Sequence, residues 1–406
     1  MKVFDVVVVG GGTAGITTAA RLKRAAGNLN IAVIEPSGNH FHQPSFTFIA
    51  AGLEQPQLGK RAMSEVIPTR CHWVRDALTR VDAENNTIQL SSGEFLGYRV
   101  LVLAPGLTLD VESVSGLGES LSDRNNPVCS IYDSSNLDKC RTLLSQFTGG
   151  LMLFSMPSGP IKCASAPFKI INLIDDQLRK SGVREVSRIV FITPYPGFFG
   201  LPGYEQTVVE NAKRRGIELL QEHEVTKIDA RNRQVLLTPV SEIAATRNIR
   251  NVRYDFAHIT PRMRAPSFIR ESQLHHGEGT QSDWLLVDPF TLQHPRFLNI
   301  FGLGDVAGLP TMKSASAAIK QAEVVALNIL SLFKAGKAHS LPARYNGYTS
   351  CPLYLGIGKS LEAEIGYEGQ LLPSLPGSPF SPSRVSWILN RYIRPKIYWN
   401  KTLKGL

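Results

Sequence analysis

The stretch DVVVVGGGTAGITTAARLKR, residues 5–24, decides the fold of the first domain. Its four consecutive valines predict a buried strand of a parallel sheet, and a helix follows the glycines. Gly10, Gly12 and Gly15 match the pattern G-x-G-x-x-G. In this pattern the first glycine allows the turn, the second admits a pyrophosphate, and the third lets helix and strand pack closely. The stretch therefore predicts a dinucleotide-binding unit, with a purely structural glycine turn as the alternative.

Three further segments indicate which dinucleotide is bound. Glu35 ends the next strand, NIAVIEP (30–36), about 20 residues after the glycines, where a carboxylate can accept hydrogen bonds from ribose hydroxyls. The strand YRVLVLAPG (98–106) ends in Ala104 and Gly106, which resemble a second contact of two-domain flavoproteins. NIFGLGDVAGLP (299–310) resembles the FAD-closing signature of that superfamily and contains Gly304 and Asp305. This resemblance implies FAD, with Asp305 at its ribityl chain.

A second unit of the same kind is predicted in the middle of the chain, but its glycines are missing. The run LMLF (151–154) reads as a strand, APFKIINLIDDQLRKSG (166–182) as a helix, and a strand and a helix follow in 184–193 and 204–216. The turn between the first two elements, SMPSGPIKC, contains one glycine, so NAD(P)H would lack its phosphate cradle. The fold class is therefore α/β, with two Rossmann-like domains, one FAD-binding and one degenerate and NAD-type.

The same turn contains a cysteine, Cys163. It precedes a predicted helix and follows Lys162, and both features favour a thiolate. A thiolate or disulfide beside a flavin can pass two electrons to it. The alternative is a buried cysteine without reactivity.

Composition excludes several classes of function. The 44 Lys+Arg against 34 Asp+Glu give a net charge of +10, which favours an anionic partner. No nucleic-acid-binding signature and no metal-ligand spacing is found, so neither nucleic acid nor a metal is expected. Five cysteines do not suggest a secreted disulfide framework. The chain opens on a strand, so no signal or transit peptide and no apolar run of membrane-spanning length is predicted.

Three segments carry a more specific resemblance: PIKCASAPFKI (160–170), GDVAGLPTMKSASAAIKQA (304–322) and NGYTSCPLYLG (346–356). They resemble the sulfide:quinone oxidoreductases, closest to the branch that includes the mitochondrial enzymes, from the first strand to the C-terminus. The resemblance implies that Cys163 pairs with Cys351, that sulfide attacks their disulfide, and that a thiolate, assigned to Cys351, reduces FAD. The electrons would pass to a membrane quinone (ubiquinone, plastoquinone or menaquinone), and the sulfane sulfur to an acceptor. Lys313 resembles the family lysine beside the flavin, with an exposed surface lysine as the alternative.

The other cysteines are less informative. Some branches of the family carry a third redox cysteine near Cys129, so Cys129 is kept as a catalytic candidate in a region expected to be a flexible loop. A cysteine without redox function is the alternative that the sequence leaves open. Cys71 and Cys140 are interpreted as structural.

Two segments point to a membrane quinone. NHFHQPSF (39–46) resembles the quinone-side stretch of the family, which implies His42 and Pro44 at the quinone, although an ordinary loop histidine remains open. The C-terminal VSWILNRYIRPKIYWNKTLKGL (385–406) mixes rings and cations, as in segments that lie in the lipid headgroup layer. A basic solvated helix is the alternative. The membrane-binding candidates are Trp387, Arg391, Tyr392, Arg394, Lys396, Tyr398 and Trp399.

The predicted organisation has three parts. Residues 1–120 and 285–335 form the FAD-binding domain, 121–284 the second domain, and 336–406 a C-terminal region with Cys351 and the membrane-associating helices. The protein is expected to be peripheral (monotopic) on a cytoplasmic-type membrane, and a homo-oligomer is left open. The rival functions are a membrane NADH:quinone oxidoreductase, a flavocytochrome-type sulfide dehydrogenase and a flavoprotein scaffold without activity.

Overall fold

A computed structural model describes residues 1–197, 201, 203–240, 250–279, 281–335 and 341–406. The predicted boundary near residue 336 lies outside these residues. The helices of the FAD-binding part and its insertions are Thr13–Ala25, Phe46–Ala50, Met63–Val66, Ser267–Glu271 and Ala315–Ala335. The helix Ser267–Glu271 lies within the range 121–284 predicted for the second domain, but its Phe268 and Ile269 pack in the core of the FAD-binding domain. The remaining α-helices of the described residues are Leu117–Ser122, Leu137–Ser145, Ala166–Ser181, Tyr204–Arg215, Arg384–Ile388 and Arg394–Asn400.

The first sheet is the dinucleotide-binding sheet predicted from the glycine motif. Its strands are β1 (Lys2–Val9), β2 (Ile31–Ile34), β5 (His72–Val74), β6 (Leu78–Asp82), β7 (Thr87–Leu90), β8 (Phe95–Leu103) and β19 (Ile300–Gly302). The order is β5-β2-β1-β8-β7-β6, and β19 adds to β8. The strands β5, β2, β1, β8 and β19 are parallel to one another, so their carboxyl ends meet at one edge, where the glycine turn and the 304–306 turn lie, whereas β7 is antiparallel to both β8 and β6.

The second sheet confirms a second Rossmann-like domain. Its strands are β10 (Val128–Cys129), β11 (Gly150–Ser155), β12 (Ser187–Ile192), β13 (Ile217–Leu220) and β17 (Phe256–His258). They are all parallel, in the order β10-β17-β11-β12-β13. An antiparallel sheet is formed by β14 (His223–Asp229), β15 (Gln234–Pro239) and β16 (Arg250–Arg253). The helix Ala166–Ser181 follows β11, as the apolar spacing predicted, and Gly182 ends it in the left-handed conformation at φ 76°.

The C-terminal part begins with a hairpin of β20 (Thr349–Gly356) and β21 (Lys359–Ile365). Leu353 and Leu361 of the hairpin share a core with Ile170 and Ile174 of the helix 166–181. This packing fixes β20 beside the turn that carries Cys163. Two short antiparallel pairs, β3 (Asn39–Phe41) with β4 (Lys60–Ala62) and β9 (Thr108–Asp110) with β18 (Arg262–Arg264), complete the strands of the described residues.

One helix corrects the expectation that no apolar run is long enough to span a membrane. Among the described residues, the segment Ala315–Lys334 is long and apolar enough to span a membrane by length and composition, with a mean hydropathy of 1.3. Half of this window is buried, and Ala318, Ala322, Val325 and Ile329 belong to the core of the FAD-binding domain. The run is therefore apolar because it packs inside the domain against the helix 13–25.

Candidate active site

The glycine turn has the close approaches that a dinucleotide cradle needs. Gly10 has φ +103°, and a Cβ there would overlap the backbone carbonyl of Ala104. A Cβ at Gly15 would overlap the Gly10 carbonyl oxygen, so helix and strand could not pack. A Cβ at Gly12 would meet no atom within 4 Å. The turn thus leaves free space at its second glycine, the point where a pyrophosphate approaches the backbone.

Glu35 lies against this turn. Its carboxylate accepts hydrogen bonds from the amides of Gly11 and Ser37, each at 2.7 Å, and the Trp73 indole donates to its carbonyl at 2.9 Å. These contacts hold the carboxylate at the end of β2, within the cradle. Gly106 follows β8 with φ +77° beside the same edge of the sheet.

Gly304, Asp305 and Lys313 form the other wall of the cradle. The Gly304 amide donates to Gln321 Oε1 at 2.7 Å, and Lys313 Nζ donates to the carbonyls of Asp305 at 2.8 Å and Ala307 at 2.9 Å. Lys313 is 7% exposed, so it is not a surface lysine, and its ammonium lies 3.7 Å from the centre of the Trp284 ring. Burial lowers the pKa of Lys313 to about 8 and raises that of Asp305. A cavity lined by Gly304, Thr311, Lys313, Ser314 and Gln321 opens here. These residues fit FAD.

Cys163 and Cys351 lie together. Their sulfurs are 3.9 Å apart, although 188 positions separate them in the chain. Cys163 has φ +47°, an unusual value for a non-glycine residue, and this places its side chain towards β20. The Cys163 amide donates to the Lys313 carbonyl at 2.8 Å, and the Tyr132 hydroxyl donates to the Cys163 carbonyl at 3.0 Å. The cysteine pair is thereby joined to the wall of the FAD cradle.

Sequence analysis missed two side chains that contact this pair. Lys169 Nζ lies 3.0 Å from Cys163 Sγ and 4.0 Å from Cys351 Sγ, and the Ser165 hydroxyl lies 2.6 Å from Cys351 Sγ. Both side chains are buried. The sequence signal for Lys169 is its place on the first turns of the helix that follows Cys163, whereas the predicted thiolate rested on Lys162.

These contacts shift the pKa values of the two thiols in opposite directions. The hydrogen bond with Cys351 and the Lys169 ammonium hold the pKa of Cys163 well below its usual range, although burial opposes them. The hydrogen bond to Cys163 and burial raise the pKa of Cys351 well above its usual range. The negative charge is therefore favoured on Cys163 and the proton on Cys351, whose sulfur also lies within hydrogen-bond distance of the Ser165 hydroxyl. A cation within hydrogen-bond distance of a thiol is the arrangement that makes a reactive cysteine.

The structure does not bring Cys129 to the pair. Cys129 is in β10, is fully buried, and is hydrogen-bonded to the Cys140 thiol. The expectation of a flexible loop at Cys129 was wrong, because the residue belongs to a parallel strand paired with β17 in the centre of the second domain. Its redox function stays a prediction. Cys71 is partly buried, and burial raises the pKa of its thiol to about 11.

A carboxylate from β14 lies against the degenerate turn of the second domain, where a nucleotide phosphate would be expected. Glu224 accepts a hydrogen bond from the Ser158 amide and is paired with Arg262 at 2.7 Å. The Gly159 amide donates to the Tyr195 hydroxyl at 3.1 Å. The amides that would bind a phosphate at the end of β11 therefore have partners from the protein itself.

His42 is buried and Pro44 is exposed. The imidazole of His42 packs against Tyr398, with ring centres 4.5 Å apart, and its Nδ1 is 2.9 Å from the Ser45 hydroxyl. Burial and the neighbouring His40 lower the pKa of His42 to about 3. His42 is therefore a neutral, packed histidine next to the C-terminal segment.

The C-terminal segment is helical, with a π-turn at Leu389–Ile393 between the helices 384–388 and 394–400. The expectation that its rings face lipid was wrong for Trp387, Tyr398 and Trp399, which are at most 7% exposed. Two cations also point inward, since Arg391 pairs with Glu54 at 2.5 Å and Arg394 with Glu362 at 2.9 Å. The exposed side chains of the residues 384–400 are Arg384, Val385, Ile388, Tyr392, Ile393, Lys396, Ile397 and Asn400, and Lys401, Lys404 and Leu406 are exposed after them.

Comparisons with known proteins show the family to which this chain belongs. The profile of the pyridine nucleotide-disulphide oxidoreductase family matches residues 4–139. The mitochondrial sulfide:quinone oxidoreductase of Mus musculus is 32% identical over 402 residues, which is 99% of this chain and 87% of the relative. That of Dictyostelium discoideum is also 32% identical, over 100% of this chain and 87% of the relative. The sulfide:quinone oxidoreductase of Aquifex aeolicus, a solved structure, superimposes with a TM-score of 0.81 at 21% identity, covering 100% of this chain and 92% of that one. Because the two mitochondrial relatives are 32% identical to this chain over nearly its full length, the protein belongs to the sulfide:quinone oxidoreductase family.

Proposed function

We propose that this protein is a sulfide:quinone oxidoreductase that oxidises sulfide at Cys163 and Cys351 and passes two electrons through FAD to a membrane quinone. The observation that carries the proposal is the pair of sulfurs 3.9 Å apart beside the Lys169 ammonium. Relatives named for this reaction, matched over nearly the whole chain, support it.

The glycine turn at 10–15, Glu35, Ala104, Gly106 and the 304–313 segment would hold FAD. Bound FAD supplies a two-electron acceptor that can be oxidised again by a quinone. The backbone hydrogen bond from Cys163 to the Lys313 carbonyl keeps the sulfurs next to this site. The remaining chemistry is carried by the protein's own side chains.

The first step is attack by hydrosulfide on the oxidised cysteine pair. A disulfide requires about 2.05 Å between its sulfurs, so Cys163 and Cys351 need to approach by roughly 2 Å to form it. Hydrosulfide attacks the Cys351 sulfur, the S–S bond breaks, Cys351 carries the persulfide and Cys163 leaves as a thiolate. Lys169 stabilises that leaving group. We therefore assign the thiolate to Cys163, and not to Cys351 as the resemblance had implied.

The second step returns the pair to its oxidised form. An external nucleophile, such as a second sulfide or another thiol, removes the outer sulfur and leaves Cys351 as a thiolate. Joining the two thiolates as a disulfide releases two electrons, which pass to the cofactor and then to the quinone. The buried Ser165 hydroxyl, 2.6 Å from Cys351 Sγ, donates a hydrogen bond to that thiolate before the disulfide closes.

The rival function as an NADH:quinone oxidoreductase has less support. A nicotinamide dinucleotide would have to displace the Glu224 carboxylate from the Ser158 amide and would meet like charge there. Sulfide needs no such cradle, because hydrosulfide is a small anion without a nucleotide part.

A membrane surface supports the quinone half of the proposal. The exposed apolar side chains Val385, Ile388, Ile393 and Ile397 lie on one short segment with Lys396. Such a surface inserts rings and branched chains at the acyl boundary, and each nearby cation adds about 1 kcal/mol with anionic lipid. We infer that this surface, and not the buried Trp387 or Trp399, rests on the bilayer, with His42 behind it on the path to the quinone.

The reaction is tested by an anaerobic titration. Purified, FAD-loaded protein is mixed first with NADH, then with sulfide, and last with a short-chain quinone, while the flavin absorbance is followed. Sulfide should bleach the flavin and the quinone should restore its colour. Bleaching by NADH without bleaching by sulfide would refute the proposal.

Variants of the cysteines locate the chemistry. Cys163→Ala and Cys351→Ala should each abolish bleaching by sulfide while FAD stays bound. Cys71→Ala is the matched control, because Cys71 lies at the edge of the FAD-binding core, outside the cysteine pair, and should leave the rate unchanged.

A further inference from the structure

One side chain joins the C-terminal segment to the glycine turn. Tyr398 is 3% exposed, and its hydroxyl lies 2.8 Å from Thr13 Oγ1 and 2.6 Å from His40 Nε2. His40 Nδ1 in turn lies 2.7 Å from the carbonyl oxygen of Gly11. The hydroxyl of one residue near the end of the sequence thus contacts the dinucleotide turn directly and through one histidine.

The direction of each hydrogen bond in this chain follows from the chemistry of the groups. The Gly11 carbonyl can only accept, so His40 Nδ1 carries the hydrogen. Burial lowers the pKa of His40 to about 4, so the ring is neutral and its Nε2 accepts. Tyr398 therefore donates to His40, and its oxygen accepts the hydrogen of the Thr13 hydroxyl.

The groups that Tyr398 holds belong to the cofactor site. Thr13 is the first residue of the helix Thr13–Ala25, and Gly11 lies between the first two glycines of the motif. The residues after Tyr398 pack on the same helix: Trp399 and Leu403 belong to the core of the FAD-binding domain, and a Cβ at Gly405 would come within 2.8 Å of the Ala20 backbone. The segment therefore supports the helix whose N-terminus faces the dinucleotide.

We propose that Tyr398 is a positioning residue of the FAD site, and that the C-terminal segment and the glycine turn order each other through its hydroxyl. Without that hydroxyl, the buried Nε2 of His40 loses its donor and the Thr13 hydroxyl loses its acceptor. Both groups would then have to reorient, and the turn would lose the conformation that admits a pyrophosphate. Because coupling is reciprocal, FAD binding at the turn should in return order the segment that contains Tyr398.

The test is the affinity for FAD, which does not depend on sulfide or quinone. Tyr398→Phe removes one oxygen and keeps the ring. We expect its dissociation constant for FAD, titrated into the FAD-free protein by flavin fluorescence, to rise about tenfold, equivalent to about 1.4 kcal/mol. Tyr392→Phe is the matched control, because Tyr392 is 54% exposed on the same segment, and its affinity should not change. A rise of less than fivefold in Tyr398→Phe would overturn the proposal.

Hydrogen exchange separates positioning from a general loss of stability. In the unmodified protein, FAD should slow amide exchange in residues 394–400, and in Tyr398→Phe this slowing should be absent. A segment with only a structural role would exchange at the same rate with and without FAD. If the variant does not fold, the measurement on the unmodified protein decides: an exchange rate unchanged by FAD overturns the proposal, and a slower one supports it. Failure of sulfide to bleach the flavin would refute the proposed reaction and leave this result untouched.

Discussion

Replacement of Lys169 by Met tests the electrostatic basis of the site. The substitution removes the charge that lies 3.0 Å from Cys163 Sγ and leaves a chain of similar length in the buried space. We expect the pKa of the Cys163 thiol to rise, because the thiolate loses the cation that favours it. Hydrosulfide should then attack the disulfide more slowly, since Cys163 becomes a poorer leaving group.

The size of the effect follows from the distance. Two unit charges 3.0 Å apart attract by about 5 kcal/mol at an effective dielectric constant of about 20. Burial of the ammonium offsets part of this, and an opposite charge at such a distance typically moves a pKa by about 1–3 units. At a pH below the pKa of Cys163 in both proteins, the fraction of Cys163 present as thiolate should therefore be about 10 to 1000 times lower in Lys169→Met than in the unmodified protein.

The assay is the rate of alkylation of Cys163 in the reduced protein as a function of pH, with the modified residue identified by mass spectrometry. The midpoint should move to higher pH in Lys169→Met, and the rate of flavin bleaching by sulfide should fall in parallel. Lys180→Met is the control, because Lys180 is an exposed lysine on the same helix. An unchanged alkylation midpoint in a folded Lys169→Met protein would refute the reasoning.

Three further predictions concern the cradle, the C-terminal anchor and pH. Gly15→Ala should be purified without FAD absorbance, because its Cβ would overlap the Gly10 carbonyl; retention of stoichiometric FAD would contradict this. Glu362→Gln should lower the free energy of unfolding by about 2 kcal/mol in urea titrations, because the buried carboxylate loses its charge-assisted hydrogen bond with the partly exposed Arg394; a change below 1 kcal/mol would be evidence against that anchor. The pKa of His40 is about 4 when folded against an ordinary value near 6.5, so the unfolded chain binds more protons between these values. The free energy of unfolding should therefore fall as the pH drops from 7 to 5, and His40 should account for about 2 kcal/mol of this fall. In His40→Gln, that part of the pH dependence should be absent.

Some of the candidate site could be predicted because the relevant signals are local. The glycine spacing, the small residues after β8 and the Gly304–Asp305 turn each require a particular backbone path within a few residues, so the FAD cradle was predictable. Cys163 and Cys351 were identified from two short motifs, and the structure brings them together. Cys129 was misplaced, because a short run such as PVCSIYD does not reveal that its strand is covered on both faces.

The orientation of the C-terminal segment was not predictable from composition. Rings and cations alternate there in a way that suits either a lipid surface or a packed interior. Glu54 and Glu362, each more than 20 positions away from its partner, turn Arg391 and Arg394 inward. The rings of Trp387, Tyr398 and Trp399 are buried on the same side of the segment. The branched side chains between them, Ile388, Ile393 and Ile397, are exposed.

The amino-acid sequence by itself determined the two Rossmann-like units and the separate turns of the FAD cradle, because each depends on residues that are close in the chain. The pairing of Cys163 with Cys351, which are 188 positions apart, was implied only by the resemblance of the motifs around them. Only the tertiary structure decided which sulfur holds the negative charge, that Glu224 fills the second turn, and that Tyr398 supports the first. These properties depend on burial and on charges that meet across more than one element of the fold. A pKa or a hydrogen-bond direction is the sum of all such neighbours, and the neighbours are known only once the chain has folded.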